Sequence, residues 1–252
     1  PLAWFCHAEG TLGILTEITL RIRRRPKVEA HHLLACAGPE RLQGAAEALA
    51  GAMAPPYTIL FVDEGYAGLL GAAGFSSPAA GALLLASFQG AAADVERGRA
   101  HLGGLTARDL GEAAALDEWR ARVYHLRVKR AGPSLLAAEM MLPLERLAGY
   151  LGAVAGLARQ VRTPIGTYGV VVSPQGALVT SVYPADARQE QRYLLALGLT
   201  KRLYDLGWRH GGRPYGVGLW NTPYLSRIYS RRQLAELRAR KRQLDPQHLL
   251  NP

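Results

Sequence analysis

Between residues 30 and 206 the apolar positions change their spacing back and forth, from every second residue to every third or fourth. A chain patterned in this way buries its hydrophobic side by laying helices on a sheet. Residues 30–37, 57–62 and 81–88 read as strands, and between the first two Leu42, Ala45, Leu49 and Met53 fall on one face of a helix. A weaker helix is expected over 91–102, with a further strand after Gly104. This strand-helix-strand-strand-helix order is the split βαβ arrangement of ferredoxin-like folds. The expected class is α+β, an antiparallel sheet covered by helices.

A second series follows. A helix is expected around 117–123 and a strand at 135–142; the next helix is entered at Pro143, whose missing N–H the first turn would leave unpaired anyway. Leu144, Leu147, Leu151, Val154, Ala158 and Val161 form its buried stripe. Strands at 165–172 and 177–183 flank a hairpin turn at Pro174-Gln175-Gly176. Asp186, with Gln189 three residues on, predicts the cap of a helix that packs Leu195, Leu199, Leu203 and Leu206 and stops at Gly207. Ser230 and Gln233 predict a capping box on the last helix, which is expected to bury Leu234, Leu237 and Leu244 before Asp245-Pro246 ends it.

The opening stretch, WFCHAEGTLGILTEITLRIRRRP, reads as a glycine-bearing turn feeding a strand. From Ile14 to Ile22 the even positions are Ile, Thr, Ile, Leu and Ile, while Glu17 and Arg21 lie between them, until Pro26 stops the run. The sequence starts inside this loop without Met, so the strand is expected to continue a sheet whose earlier members lie upstream of Pro1. With 252 residues, 49% of them apolar, the chain can bury about three quarters of its unfolded surface.

Lys and Arg total 30 against 20 Asp and Glu, for a formal charge of +10, which favours anionic ligands. The basic clusters at Arg21 to Arg25, Arg127 to Arg130 and Arg231 to Arg242 read as solvated faces and ends of elements. No aromatic platform is interleaved with them, so no nucleic-acid partner is expected. Cys6 and Cys36 stand in no CxxC spacing, so neither a zinc site nor a disulfide framework is indicated, and a reducing cytoplasm fits. No apolar run reaches the ~18 residues of a membrane span, and no signal peptide precedes the first motif.

Four landmarks then carry a family resemblance. FCHAEGTLGILTEITLRI is similar to the G-S-E-G-T-L-G-I-[IV]-T-E segment of FAD-linked oxidases of the vanillyl-alcohol-oxidase type, the group that contains D-lactate and glycolate dehydrogenases. LDEWRARVYHL resembles the W-x-x-R helix of that family and AAEMMLPLERL its strand-to-helix step. LRARKRQLDPQHLLNP resembles its D-P-x-x-[IL]-L-N-P ending. The resemblance implies that residues 1–26 end an FAD-binding domain whose larger part is missing here, and that 27–252 form the cap or substrate domain.

FAD is the implied cofactor. By resemblance it would be touched mainly through the main chain of Ala8, Glu9, Gly10, Thr11, Leu12, Gly13 and Ile14, with Asn251 from the closing segment. Gly10 and Gly13 let backbone amides approach a dinucleotide closely. The Gly216-Val217-Gly218 repeat is not a phosphate-binding motif, because no strand-loop-helix unit surrounds it.

The departures from the family pattern bear on chemistry. In VVVSPQGAL, Val171 and Leu178 stand at two histidine positions and Pro174 at an aspartate; in GGRPYGVGLWNTPYL, Pro214 replaces a glutamate and Tyr215 a histidine. Ala137 takes the place of a carboxylate-binding lysine. A divalent metal needs imidazole or carboxylate ligands, so no metal is expected, and the usual His base is absent. Arg122, Tyr215 and Asn221 remain. Arg122 is either a bidentate carboxylate clamp or an exposed helix arginine; Tyr215 is either a donor or proton relay beside the flavin or a packing residue. His31 and His32 alternate across a strand, His7 stands beside the glycine turn, and His210 and His248 lie in turns; none is expected to be catalytic.

The implied activity is FAD-dependent, metal-independent oxidation of a small alcohol or hydroxy acid such as glycolate or D-lactate. The sequence alone is expected to hold FAD poorly and to be inactive without the FAD-binding domain. The competing expectation is a non-catalytic or assembly subunit that joins other subunits of a flavin-oxidase complex.

Overall fold

The computed structural model describes residues 2–6, 8–79 and 81–251. The chain divides into two compact units, Pro1–Arg24 with Pro214–Pro252, and Arg25–Arg213. The first begins with a short helix, α1 (Leu2–Phe5). Residues 14–22, expected as a strand, form none. Their alternation is real, yet no described strand pairs with them, and Ile22 is 89% exposed. An extended segment becomes a strand only when a neighbour takes up its amides and carbonyls.

In Arg25–Arg213 the elements run β1 (Val28–Cys36), α2 (Pro39–Ala50), β2 (Thr58–Val62), α3 (Glu64–Ala72), β3 (Ala82–Gly90), α4 (Ala92–Arg99) and β4 (Arg108–Asp109). They continue with α5 (Glu112–Ala121), β5 (Ser134–Pro143), α6 (Leu147–Val161), β6 (Gly166–Ser173), β7 (Gly176–Ala185) and α7 (Glu190–Arg209). One sheet takes the order β4-β1-β3-β2-β6-β7-β5, with the two-residue strand Arg213–Pro214, where this unit ends, outermost. The pairings from β4 through β5 are antiparallel. The first four strands have the order expected of the split βαβ pattern, with α3 as an unanticipated addition between β2 and β3.

From Ala82 to Phe88 every residue of β3 is buried, which is why its sequence is an unbroken apolar run and not an alternation. Leu33, Leu83 and Leu85 pack with Ala115 of α5, and Trp119 closes over them. Pro143 ends β5, and a 3-10 turn at Leu144–Arg146 leads into α6. There Leu144, Leu147, Leu151 and Val154 are buried as expected, joined by Tyr150 and Leu157.

Several expected contacts are corrected. Met53 lies beyond the end of α2 and is 96% exposed. α7 starts at Glu190, so Asp186 does not cap it; its carboxylate takes hydrogen bonds from Arg188 and the Gln189 side chain instead. Leu195 is exposed on α7. Gly207, expected to end that helix, lies inside it, where a Cβ would run into the side chain of Met140; the missing side chain lets α7 settle on β5.

The remainder of the first unit is a 3-10 turn at Leu219–Tyr224, α8 (Leu225–Ile228) and α9 (Arg231–Leu244). The capping box is present: Gln233 N donates to Ser230 Oγ at 3.3 Å and Ser230 N to Gln233 Oε1 at 2.9 Å. Leu237 and Leu244, expected to be buried, are exposed. Among the described residues no helix is long and apolar enough to cross a membrane.

Candidate functional site

In the first unit, residues 8–11 form a tight turn. Thr11 N donates to Ala8 O at 2.9 Å, with Glu9 at φ 50° and Gly10 at φ 71°. Two successive left-handed residues are the signature of a mirror-image turn, which explains glycine at the second position and sets a strain of about 1 kcal/mol on Glu9. Nothing lies within 4 Å of where a Gly10 Cβ would point. Glycine is there for the backbone angle, and the surface over the turn is open. The Thr11 hydroxyl closes the turn a second time by donating to Ala8 O at 2.6 Å. Leu12 is buried, while Glu9, Gly10 and Ile14 are exposed.

The chain's closing segment is tied to this turn. Asn251 Nδ2 donates to Glu9 O at 2.9 Å, and Lys241 Nζ donates to Thr11 O at 3.0 Å, to Asn251 O at 3.1 Å and to the Asp245 carboxylate. Asp245 is buried, accepts from the amides of Leu249 and Leu250, and is held down to about 2 chiefly by Lys241. The expected contact residues 8–14 and Asn251 therefore come together, and Lys241, read from sequence only as one of a basic run, is the hub that joins them. Its spacing of four residues from Asp245 was the available signal. In the same unit Asn221 is buried with Nδ2 on Gly216 O at 2.6 Å, and Tyr215 lies on the surface.

Arg122 belongs to the other unit. It ends α5, where its Nη1 donates to Trp119 O at 2.5 Å and its guanidinium lies 3.7 Å over the Trp119 ring. His31 stacks on the same ring, at 4.6 Å, and bonds to Ser87. Beside Arg122 lie Glu118 and His125, over Leu33, Leu60, Val62, Leu83 and Leu85, around a cleft of about 20 Å³. Glu118 takes Arg127 Nη2 at 3.3 Å. Burial, reinforced by the positive charge of Arg127, lowers His125 to about 4, so its ring is neutral at ordinary pH.

On the hairpin, Val171 stands opposite Ala177 and Leu178 opposite Val170. Opposed residues share a face and neighbours alternate, so the two expected histidine positions look to opposite sides of the sheet. The face that carries Leu178 also carries a polar row across three strands: Tyr168 of β6 opposite Thr180 of β7, and Thr180 opposite Glu139 of β5. Thr180 Oγ1 donates to Glu139 Oε1 at 3.4 Å. The His125 ring stacks on Tyr168 with centroids 4.4 Å apart and planes 6° from parallel. This row escaped the sequence reading because Glu139 stands alone in an apolar run, and parity singles it out only once the register is known.

The other histidines singled out in the sequence are structural or in turns. His32 Nδ1 meets Asp109 Oδ2 at 2.8 Å, His210 sits edge-on to Tyr150, and His248 takes a left-handed φ of 53°; His7 lies outside the described residues.

Residues 25–252 match the family described as FAD linked oxidases, C-terminal domain. Over 98% of its length the chain is similar to the glycolate oxidase subunit GlcD of Bacillus subtilis (strain 168), at 26% identity, and spans 55% of that protein. Among solved structures it resembles an alkyldihydroxyacetonephosphate synthase, with a TM-score of 0.70 at 18% identity over 96% of this chain and 48% of that one. It also resembles the 4-ethylphenol oxidase from Gulosibacter chungangensis in its isoeugenol complex, with a TM-score of 0.72 at 12% identity over 92% and 54%. The chain thus spans about half the length of the proteins it matches. It belongs to the FAD-linked oxidases, a flavoprotein family with FAD as cofactor, and carries their C-terminal domain.

Proposed function

We propose that this chain is the substrate-side portion of an enzyme that oxidises an alcohol or hydroxy acid with FAD and without a metal ion, acting together with an FAD-binding domain. The observation that carries the reading is the open turn at residues 8–11, clamped by Lys241 and Asn251. Among the described residues the amides of Gly10 and Gly13 make no hydrogen bond, and no side chain covers Gly10. A strained turn that leaves donors unused on an open surface fits the edge of a flat, acceptor-rich ligand, so residues 8–14 and Asn251 would hold part of the cofactor. When bound, FAD supplies the hydride acceptor.

The substrate class follows from the glycolate oxidase relative, with Arg122 and Tyr215 as candidate orienting groups. Metal independence follows from donor chemistry, since Val171, Leu178 and Pro174 offer no ligand atom. Two free cysteines, Cys6 and Cys36, fit a reducing compartment such as the cytoplasm.

The same apolar replacements favour a second reading, a flavin-binding but non-catalytic subunit of an oxidase complex. Anaerobic titration of the FAD-loaded protein with 2-hydroxy acids and alcohols, with and without a chelator, separates the two. Bleaching of the flavin that survives the chelator is expected. Bleaching abolished by the chelator defeats metal independence, and none with any substrate selects the second reading.

A further inference from the structure

We propose that the groove between the first half of α7 and the end of β7 docks an acidic amphipathic helix of a partner protein, with Arg192 and Arg202 each taking one of its carboxylates. The surface lies wholly within Arg25–Arg213 and stands whether the enzyme or the non-catalytic reading above holds.

α7 is 20 residues long, yet only its second half is packed down. Its buried residues are Leu199, Leu203, Tyr204 and Gly207, while Leu194 is 60% and Leu195 78% exposed. A single exposed leucine needs no explanation. Here Leu195 stands with Ala196 and Leu199 along a groove of about 590 Å³, whose far wall is Thr163 and the chain at 183–186, where β7 ends. Gly198 lines the same groove, and nothing comes within 4 Å of where its Cβ would point. Glycine inside a helix is destabilising relative to alanine, and no described neighbour uses the space it leaves. That space admits the close approach of another backbone.

Charge selects the occupant. Arg192 Nη1 donates to Gln189 Oε1 at 3.0 Å, and Arg202 Nη2 to Gln160 Oε1 at 2.7 Å. Both guanidiniums are held by neutral amides, and among the described residues neither meets a carboxylate. Asp186, the one carboxylate among the described residues that line the groove, is already taken by Arg188 at 2.9 and 3.0 Å. The two arginines are ten residues apart on α7, about 15 Å along its axis. A helix with Asp or Glu at two positions ten or eleven residues apart, and apolar residues between them, matches both the charges and the trough.

Other occupants fit less well. A second copy in two-fold pairing would set the patch against itself, bringing four guanidiniums together without an anion. A lipid surface is flat and would leave the recess empty.

Helical peptides selected from a displayed library against the full chain are the probe. They are expected to carry acidic residues at that spacing around an apolar stripe and to slow amide exchange over 190–202. Leu195→Glu and the double variant Arg192→Glu/Arg202→Glu change exposed side chains and should leave the thermal melt unaltered, while each weakens binding at least about 10-fold. The double variant should bind a peptide with lysine at the two acidic positions, a rescue that a merely structural effect would not give. Selected peptides that are neutral or basic at those positions, no selected peptide at all, or an affinity unchanged in Leu195→Glu would overturn the docking. So would dimerisation, or binding to phosphatidylglycerol vesicles, that Leu195→Glu abolishes, since the face then belongs to a second copy or to a membrane.

Discussion

Asp63 holds two elements with one oxygen. Its Oδ1 accepts from Tyr66 N at 2.7 Å, capping α3, and from Thr167 N at 2.8 Å, fixing that helix to β6. Burial raises its carboxyl to about 6, against the two amide hydrogen bonds that favour the ionised form. A carboxyl raised in the folded state contributes stability that is full below its unfolded value and is lost as pH rises through the folded one. Unfolding free energy should therefore fall between about pH 4 and pH 6. Asp63→Asn keeps an oxygen for both amides and cannot ionise. Denaturant unfolding at pH 4 and pH 7 should show the variant gaining on the wild type by about 1–3 kcal/mol at the higher pH, less than the full shift because Asp63 stands partly open to a groove. A difference independent of pH would mean that the carboxyl is not strained by burial. The cap was readable in the sequence as Asp63-Glu64 ahead of an apolar stretch; the tie to Thr167, 104 residues away, was not.

At the scale of elements, the helix α3 shows how propensity misleads. Its sequence, EGYAGLLGA, carries three glycines, each worth about 1 kcal/mol against a helix, and the expected order of strands and helices left it out. The reason for one of them, Gly65, is tertiary, and a glycine of β6 answers it. A Cβ on Gly65 would strike the carbonyl oxygen of Ile165, and one on Gly166 would come 2.5 Å from the Tyr66 Cα, so helix and strand meet backbone to backbone. Gly166→Ala should cost at least about 2 kcal/mol, since neither backbone can give way. Gly71 has nothing within 4 Å of its Cβ position, and Gly71→Ala should stabilise the same helix by about 0.5–1 kcal/mol. Opposite signs in thermal melts would separate contact from propensity; the same sign for both would refute the close approach. Elsewhere local signals sufficed. The Ser230–Gln233 box, the hairpin at residues 174–175 and the buried run of β3 were all legible because each is set by neighbours in sequence. Residues 14–22 mark the converse failure, in which a strand pattern has no described partner.

At the scale of the molecule, one compact unit is assembled from both ends of the chain. The basic run from Arg231 to Arg242 was read as solvated, yet Arg240 and Lys241 reach partners outside their helix: Arg240 lies 3.8 Å over the Trp4 ring, and Lys241 joins Thr11, Asp245 and Asn251. Charge counting cannot tell a solvated lysine from one whose ammonium replaces water for a buried carboxylate and several carbonyls. The candidate cofactor residues were legible as a motif at each end, whereas their connection was not, because the link runs through a side chain 230 residues away. Lys241→Met keeps the length and apolar stem of the side chain and removes its donors. Asp245, buried at 5% exposure and depressed first of all by Lys241, would then lose its cation, and its carboxyl would rise. Hydrogen exchange should quicken together at Thr11, Leu249 and Leu250, the amides whose hydrogen bonds depend on this cluster. Faster exchange at the C-terminal amides with Thr11 unchanged would show that the turn is self-supporting, through its own Thr11–Ala8 bonds, and that Lys241 does not hold the two ends together.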